Sequence, residues 1–288
     1  MPENNIKQAE IPEGAKKLNN TNGTSPGIHI EVEDKHIFIL PGPPREFNPL
    51  VSDEIIPFLS KNYKSTNKDY GFFLFFNQAE SALAQEIDNF KPKNLDIAYL
   101  ASKGIIKLRY DKNSVNSEDL LTFENNIKQI LKDYILSTEN ISSSRVLLDL
   151  LKKYKLKISL VESVTGGNLS SALIDNPGAS KSLVASNTLY TKEAKEEFLE
   201  SDVIDDWKVL SKDLAIASRV KYSSDISLAI LGEAGPLPSS KYNIGQIFIT
   251  IVSDSKTETY EHNLRGSRED IILRAVNNAL WDLIKFIK

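Results

Sequence analysis

The chain has 288 residues, 41% of them hydrophobic and 26% charged, with a formal net charge of −4 and no Cys. That is long for one core and ordinary for a globular protein, so two or three folding units are expected and disordered, collagenous or disulfide-rich classes are excluded. The net charge offers phosphate backbones no general attraction, the missing Cys removes thiolate metal sites and a thiol nucleophile, and no apolar stretch has the length of a membrane span.

Neither nucleic acid nor a membrane is therefore expected as a partner, and a Cys-free chain fits a reducing cytoplasm. Met1 to Gln8 is polar and rich in Asn, without the apolar stretch of a signal peptide. From Ile28 to Leu40 apolar and polar residues alternate around Glu33-Asp34-Lys35, the pattern of two antiparallel strands joined by a tight turn. Pro41-Gly42-Pro43-Pro44 stops the second strand, because proline lacks the N–H and fixes φ, and a helix is expected from Arg45 to Leu59. This region, residues 1–62, is too short to be a free-standing domain and reads as the tail end of one.

A linker rich in Lys, Asn and Ser, Lys61 to Lys68, leads to a second unit at residues 68–138. Its expected order is a strand at Gly71 to Phe76, a helix at Ala79 to Asn89, strands near Asp96 to Ala101 and Ile105 to Tyr110, and a helix from Ser117 to Tyr134. That mixture is a small α+β module. A third unit, residues 144–288, opens with an amphipathic helix from Arg145 to Tyr154. Apolar strands follow at Lys157 to Val161, Leu183 to Leu189, Ile226 to Leu231 and Gln246 to Val252. Helices are expected at Gly167 to Asp175, Thr191 to Glu200, Lys212 to Tyr222 and Arg268 to Lys288. Strands alternating with helices predict an α/β sheet covered by helices.

The strongest local signal is Leu160-Val161-Glu162-Ser163-Val164-Thr165-Gly166-Gly167, a β-branched strand that ends in a sharp turn opening a helix. Such a turn leaves backbone N–H groups unpaired, and with the helix dipole it favours an anion or a developing oxyanion beside Ser163. The logic is that of a nucleophile elbow, although the sequence is not G-x-S-x-G. Read by itself, a Ser/Thr cap followed by glycines more often just starts a helix. Tyr190 and Lys195 stand at another strand end and the first turns of its helix, where a phenol and an amine could meet one substrate. A Ser nucleophile needs a base, and Lys or Tyr is the natural candidate because His29, His36 and His262 are scattered, at spacings that suggest no shared metal. A half-buried Tyr beside a solvated Lys accounts for the same segment. Gly232, in Ile230-Leu231-Gly232-Glu233-Ala234-Gly235-Pro236, marks another strand end that could flank the same crevice. Ser267 is a candidate N-cap with a carboxylate three residues on, and Arg268 beside it suits a phosphate or carboxylate equally as well as ordinary capping explains it.

These pieces resemble, in order and spacing, the motifs of CinA C-terminal domains. That family's pattern is E-S-C-T-G-G, P-G-A/S-S, Y-S-N-E-A-K, T/S-G-I-A-G-P-x-G-G and G-x-R. Here stand Ser163-Val164-Thr165-Gly166-Gly167, Asn176-Pro177-Gly178-Ala179-Ser180, Tyr190 with Glu193-Ala194-Lys195, Gly232 with Ala234-Gly235-Pro236, and Gly266-Ser267-Arg268. Five ordered matches between residues 163 and 268 are far more specific than any one motif. The resemblance implies a nicotinamide-nucleotide amidohydrolase of pyridine-nucleotide salvage, converting nicotinamide mononucleotide and water to nicotinic acid mononucleotide and ammonia, with no metal and no organic cofactor. By position, Ser163 would be the nucleophile and the backbone of Val164, Thr165 and Gly166 would hold the oxyanion or substrate. Tyr190 and Lys195 would place the substrate and move protons, and Gly232 and Arg268 would bind it.

Upstream, Met1-Pro2-Glu3-Asn4-Asn5, Pro12-Glu13-Gly14-Ala15, Gly23-Thr24-Ser25-Pro26-Gly27 and Leu40-Pro41-Gly42-Pro43-Pro44-Arg45-Glu46 are similar to the last third of the family's molybdopterin-binding-like domain. The G-G-x-G-P-T-x-D-D segment of that domain does not occur here, so the resemblance implies that no pyrophosphatase activity of that domain survives. Tyr70 to Leu136 resembles the family's KH-type module, without the G-x-x-G loop that RNA recognition needs. A homo-oligomer is the assembly the resemblance implies, and a partner could cover the open edge of the N-terminal remnant. Departures from the pattern are Val164 for Cys, Leu231 for a Thr or Ser, Glu233 for an apolar residue, Lys192 for Asn, and Leu237-Pro238-Ser239-Ser240 for the glycine pair. They point to the competing expectation, a CinA-like protein that binds a nucleotide or a protein partner without turnover.

Overall fold

A computed structural model describes residues 10–64, 68–239 and 241–288. Met1 to Gln8, the middle of the expected linker and Ser240 lie outside the described residues. The chain divides into two compact units, Met1–Asn67 and Lys68–Lys288.

In the first unit, β1 (Lys16–Leu18), β2 (Gly27–Val32) and β3 (Lys35–Ile39) form an antiparallel sheet in that order. The expected hairpin is there, and Glu33 and Asp34 make its turn with φ of 48° and 63°. Two left-handed residues give the turn the twist its strands need, which Asn-Gly more commonly supplies. The expected helix from Arg45 to Leu59 is instead α1 (Pro44–Leu50), a π-helical turn (Val51–Ile55) and α2 (Ile56–Asn62). Pro49 and Pro57 cause the interruption, since neither can donate to the carbonyl four residues back. The Arg45 carbonyl that Pro49 cannot reach accepts from Asn22 Nδ2 at 3.0 Å. His29 and His36, scattered in sequence, meet across the sheet at 3.0 Å under the Phe58 ring.

The second unit holds two sheets. β4 (Tyr70–Phe76), α3 (Glu80–Asp88), β5 (Ile97–Ser102), β6 (Ile105–Asp111), α4 (Ser117–Ile130) and β7 (Ile135–Ser137) build an antiparallel sheet of order β5-β6-β4-β7. Alternate residues of β4 face opposite ways. Phe73 and Phe75 pack on Leu83 and Ile87 of α3 and on Phe123 and Ile127 of α4, while Leu74 belongs to the core of the second sheet.

That second sheet follows from α5 (Ser143–Tyr154), β8 (Ile158–Glu162), α6 (Asn168–Ile174), β9 (Leu183–Thr188), α7 (Lys192–Leu199), α8 (Trp207–Tyr222), β10 (Ile226–Gly232), β11 (Gln246–Val252), β12 (Thr257–Asn263) and α9 (Arg268–Ile287). Its order is β12-β11-β10-β8-β9, with β8 parallel to both β10 and β9 and the other pairs antiparallel. Both faces are covered, which is why β8 and β10 read as nearly unbroken apolar runs. Ile158 and Leu160 of β8 join the α5 and α9 side, whereas Val161 joins Leu210 and Leu214 of α8 on the other. The sheets and helices make a mixed α/β architecture, as expected. Strands β1, β7 and β12 and the first five residues of α8 were not expected from the sequence. Among the described residues no helix is long and apolar enough to cross a membrane.

Gly245 shows how tightly the strand ends are drawn together. Its φ is +89°, and a Cβ there would stand 1.9 Å from the Leu264 carbonyl oxygen, while its N–H donates to the Glu233 carbonyl. Gly245→Ala should therefore lower stability by about 2–4 kcal/mol from backbone strain and overpacking. Urea unfolding of the full chain measures this, and an unchanged midpoint would show that the loop yields.

Candidate active site

β8 ends at Glu162, whose side chain is fully buried. Its Oε2 accepts from the N–H of Gly167 at 3.1 Å and of Leu169 at 2.9 Å, and its Oε1 accepts from the N–H of Ser170 at 2.8 Å. The hydroxyl of Thr165 donates to Oε2 at 2.8 Å, and that of Ser186 to Oε1 at 3.3 Å. One carboxylate therefore caps the first turn of α6, where unpaired amides and the helix dipole favour a negative charge. Bringing residue 162 back over residues 167–170 needs a tight turn, and Gly166 and Gly167 provide it with φ of +58° and +95°.

This corrects one expectation. The sequence predicts that the α6 amides form an anion site for a ligand beside Ser163, but Glu162 occupies those of Gly167, Leu169 and Ser170. Gly166 donates its N–H to the Ser163 carbonyl at 3.1 Å, and Ser163 its own to Ile230 at 3.1 Å. Among the described residues no hydrogen bond takes the N–H of Val164 or Thr165. The Thr165 side chain points inward to Glu162, and the residue is fully buried.

Ser163 faces a cavity of about 230 Å³ that is also lined by Val164, Tyr190, Lys195, Gly232 and Arg268. Thr165, which is fully buried, and Gly166, which is exposed, are not part of that lining. Thr191 caps α7, and Lys195, one turn in, is only 8% exposed. Its ammonium donates to the carbonyls of Tyr190 at 3.1 Å and Thr191 at 3.2 Å. Burial pushes Lys195 below the ordinary lysine value, with the Glu193 carboxylate pulling the other way. Arg268 enters from the first turn of α9, which carries the expected capping box between Ser267 and Asp270. Its guanidinium bridges the Gly235 carbonyl and the Tyr190 hydroxyl, the latter at 2.9 Å. Asp270 is ion-paired with Lys103 of the β5–β6 turn and, with that partner and the Ser267 hydroxyl, is held at about 2.

Four further residues line the cavity: Trp207, Leu231, Glu233 and Ala234. Trp207 stacks on Tyr242, ring centroids 4.0 Å apart, and its backbone N–H donates to the Tyr242 hydroxyl at 2.7 Å. Its place at the start of α8 carried no signal because the helix was expected to begin later. Leu231 is 2% exposed and packs with Val161 and Leu210. Gly232 has a packing reason besides its place in the lining: a Cβ would stand 2.9 Å from the Gln246 carbonyl oxygen.

Residues 140–287 match the model of the CinA C-terminal domain. The chain is 33% identical over 317 aligned positions to a CinA-like protein of Endomicrobium trichonymphae, covering 99% of this chain and 72% of the relative. It is 32% identical to a Desulforamulus reducens protein bearing the name competence-damage inducible protein, covering 97% and 71% respectively. The chain belongs to the CinA family. A crystal structure of a competence or damage-inducible protein from Enterobacter asburiae superposes with a TM-score of 0.48 at 24% identity, over 51% of this chain and 96% of that one. In this CinA chain the Glu162 carboxylate, not a ligand, completes the N-terminus of α6. Glu162→Gln should lower stability by about 3 kcal/mol, because an amide nitrogen replaces an acceptor facing backbone donors. It should also speed hydrogen exchange at Leu169 and Ser170, and unchanged protection there would contradict the capping role.

Proposed function

We propose that the chain is an amide hydrolase that converts nicotinamide mononucleotide and water to nicotinic acid mononucleotide and ammonia, with Ser163 as the nucleophile. The observation that carries this reading is the company Ser163 keeps: the N–H of Val164, which has no partner among the described residues, and a buried Lys195 in one cavity. A neutral Lys195 amine has two hydrogens, which the carbonyls of Tyr190 and Thr191 accept, so its lone pair is left for a proton from Ser163. Ser163 Oγ adds to the carboxamide carbon as that proton passes to Nζ. The oxyanion is held by the N–H of Val164. Collapse breaks the C–N bond, Nζ returns the proton to the leaving nitrogen, and ammonia departs. Water then adds to the ester and releases the acid with Ser163 restored. Arg268 and Tyr190 hold the substrate.

The rest of the chain completes the reading. Residues 68–138 are a KH-type module without RNA binding, residues 1–62 correspond to part of a molybdopterin-binding-like domain, and the enzyme works in the cytoplasm. The competing reading, binding without turnover, is favoured by Leu231, an apolar wall where the family pattern has a hydroxyl.

Ammonia release from nicotinamide mononucleotide decides between them. Turnover is expected to fall to background in Ser163→Ala and in Lys195→Met. Because burial lowers the Lys195 pKa and only the neutral amine accepts a proton, the rate should rise with pH and level off below 10.5. Release equal to that of Ser163→Ala would leave the binding reading.

A further inference from the structure

The cavity at Ser163 is smaller than the roughly 300–1,000 Å³ of ordinary small-molecule sites. A second cavity, of about 370 Å³, adjoins it, and Tyr190, Lys195 and Trp207 line both. Val203, Ile204 and Leu210 are its apolar lining, and Lys192 and Asp205 stand beside them. The two charges have opposite signs and different partners. Lys192 reaches Glu196 at 3.3 Å, an ion pair one turn along the same helix, and its side chain is 66% exposed. Such a pair contributes little, and Lys before Glu is the weaker order on a helix, so an incoming anion can replace the carboxylate. Asp205 is exposed, and its carbonyl is fixed by Lys241.

We propose that this second cavity is the subsite for the phosphorylated ribose of the substrate, with Lys192 pairing with the phosphate and Asp205 accepting from the ribose hydroxyls. The assignment rests on the amidase reading for the group that lies over Ser163, and it makes Lys192 a specificity residue of this chain. The shared wall places the glycosidic end of the ribose near Tyr190 and Trp207. A carboxylate near the diol and an ammonium near the phosphate also set the direction in which the sugar lies, because the reverse order would put the phosphate against Asp205.

Calorimetric titration of the full chain with nicotinamide mononucleotide and with its dephosphorylated nucleoside tests this. Lys192→Gln should weaken the nucleotide about tenfold or more, Lys192→Glu further, and neither should alter nucleoside binding. Asp205→Asn should weaken both ligands to the same extent. Equal effects of Lys192→Gln on both ligands, or none on either, would overturn the subsite. Binding that depends on Lys192 without ammonia release would retain the subsite and reject the amidase. Ammonia release indifferent to Lys192 would do the reverse, and no binding of either ligand would end both.

Discussion

A carboxylate buried at the end of β8 organises the Ser163 end of the sheet. Removed from water, it would be costly without donors, and here three backbone N–H groups and two hydroxyls meet it. To reach them the chain must double back through Gly166 and Gly167, and that reversal is what turns Ser163 away from the interior and into the cavity. The helix dipole, which could have served a ligand directly, is satisfied from inside.

The other side chains arrive by independent routes. β8 lies between parallel neighbours β9 and β10, so the carboxyl ends of all three strands open on one side, where open α/β sheets place their ligands. Tyr190 and Lys195 follow β9, Leu231 and Gly232 end β10, and Arg268 comes from α9. Its helix is anchored by the core it shares with Leu74, by Trp281 stacked on Phe76 and by the Lys103–Asp270 pair. The four-stranded sheet thereby bears on the position of Arg268.

Much of this was legible from residue order, because β8, β10, α5 and α9 have strong periodicity or unbroken apolar runs and because the site residues fall in ordered motifs. What escaped has physical causes. β12, Thr257–Asn263, is a polar edge strand held by its ladder to β11, and no apolar alternation marks it. β1 and β7 are three residues each, stabilised only by their neighbours. α8 begins five residues early because the Asp206 side chain accepts from Lys208 and Val209, a cap hidden in a run of mixed residues. The role of Glu162 escaped for a different reason. Within the motif it reads as the last strand residue, and only three dimensions bring its carboxylate to amides five to eight positions away.

The central claim is that Ser163 forms a covalent acyl intermediate in this cavity, and trapping tests it most directly. With nicotinamide mononucleotide and added hydroxylamine, a Ser163 ester is shared between water and the stronger nucleophile, so the nucleotide hydroxamate should accumulate alongside the acid. Ammonia accompanied by acid alone, with no hydroxamate at any hydroxylamine concentration, would mean that water attacks the amide directly and would contradict the account.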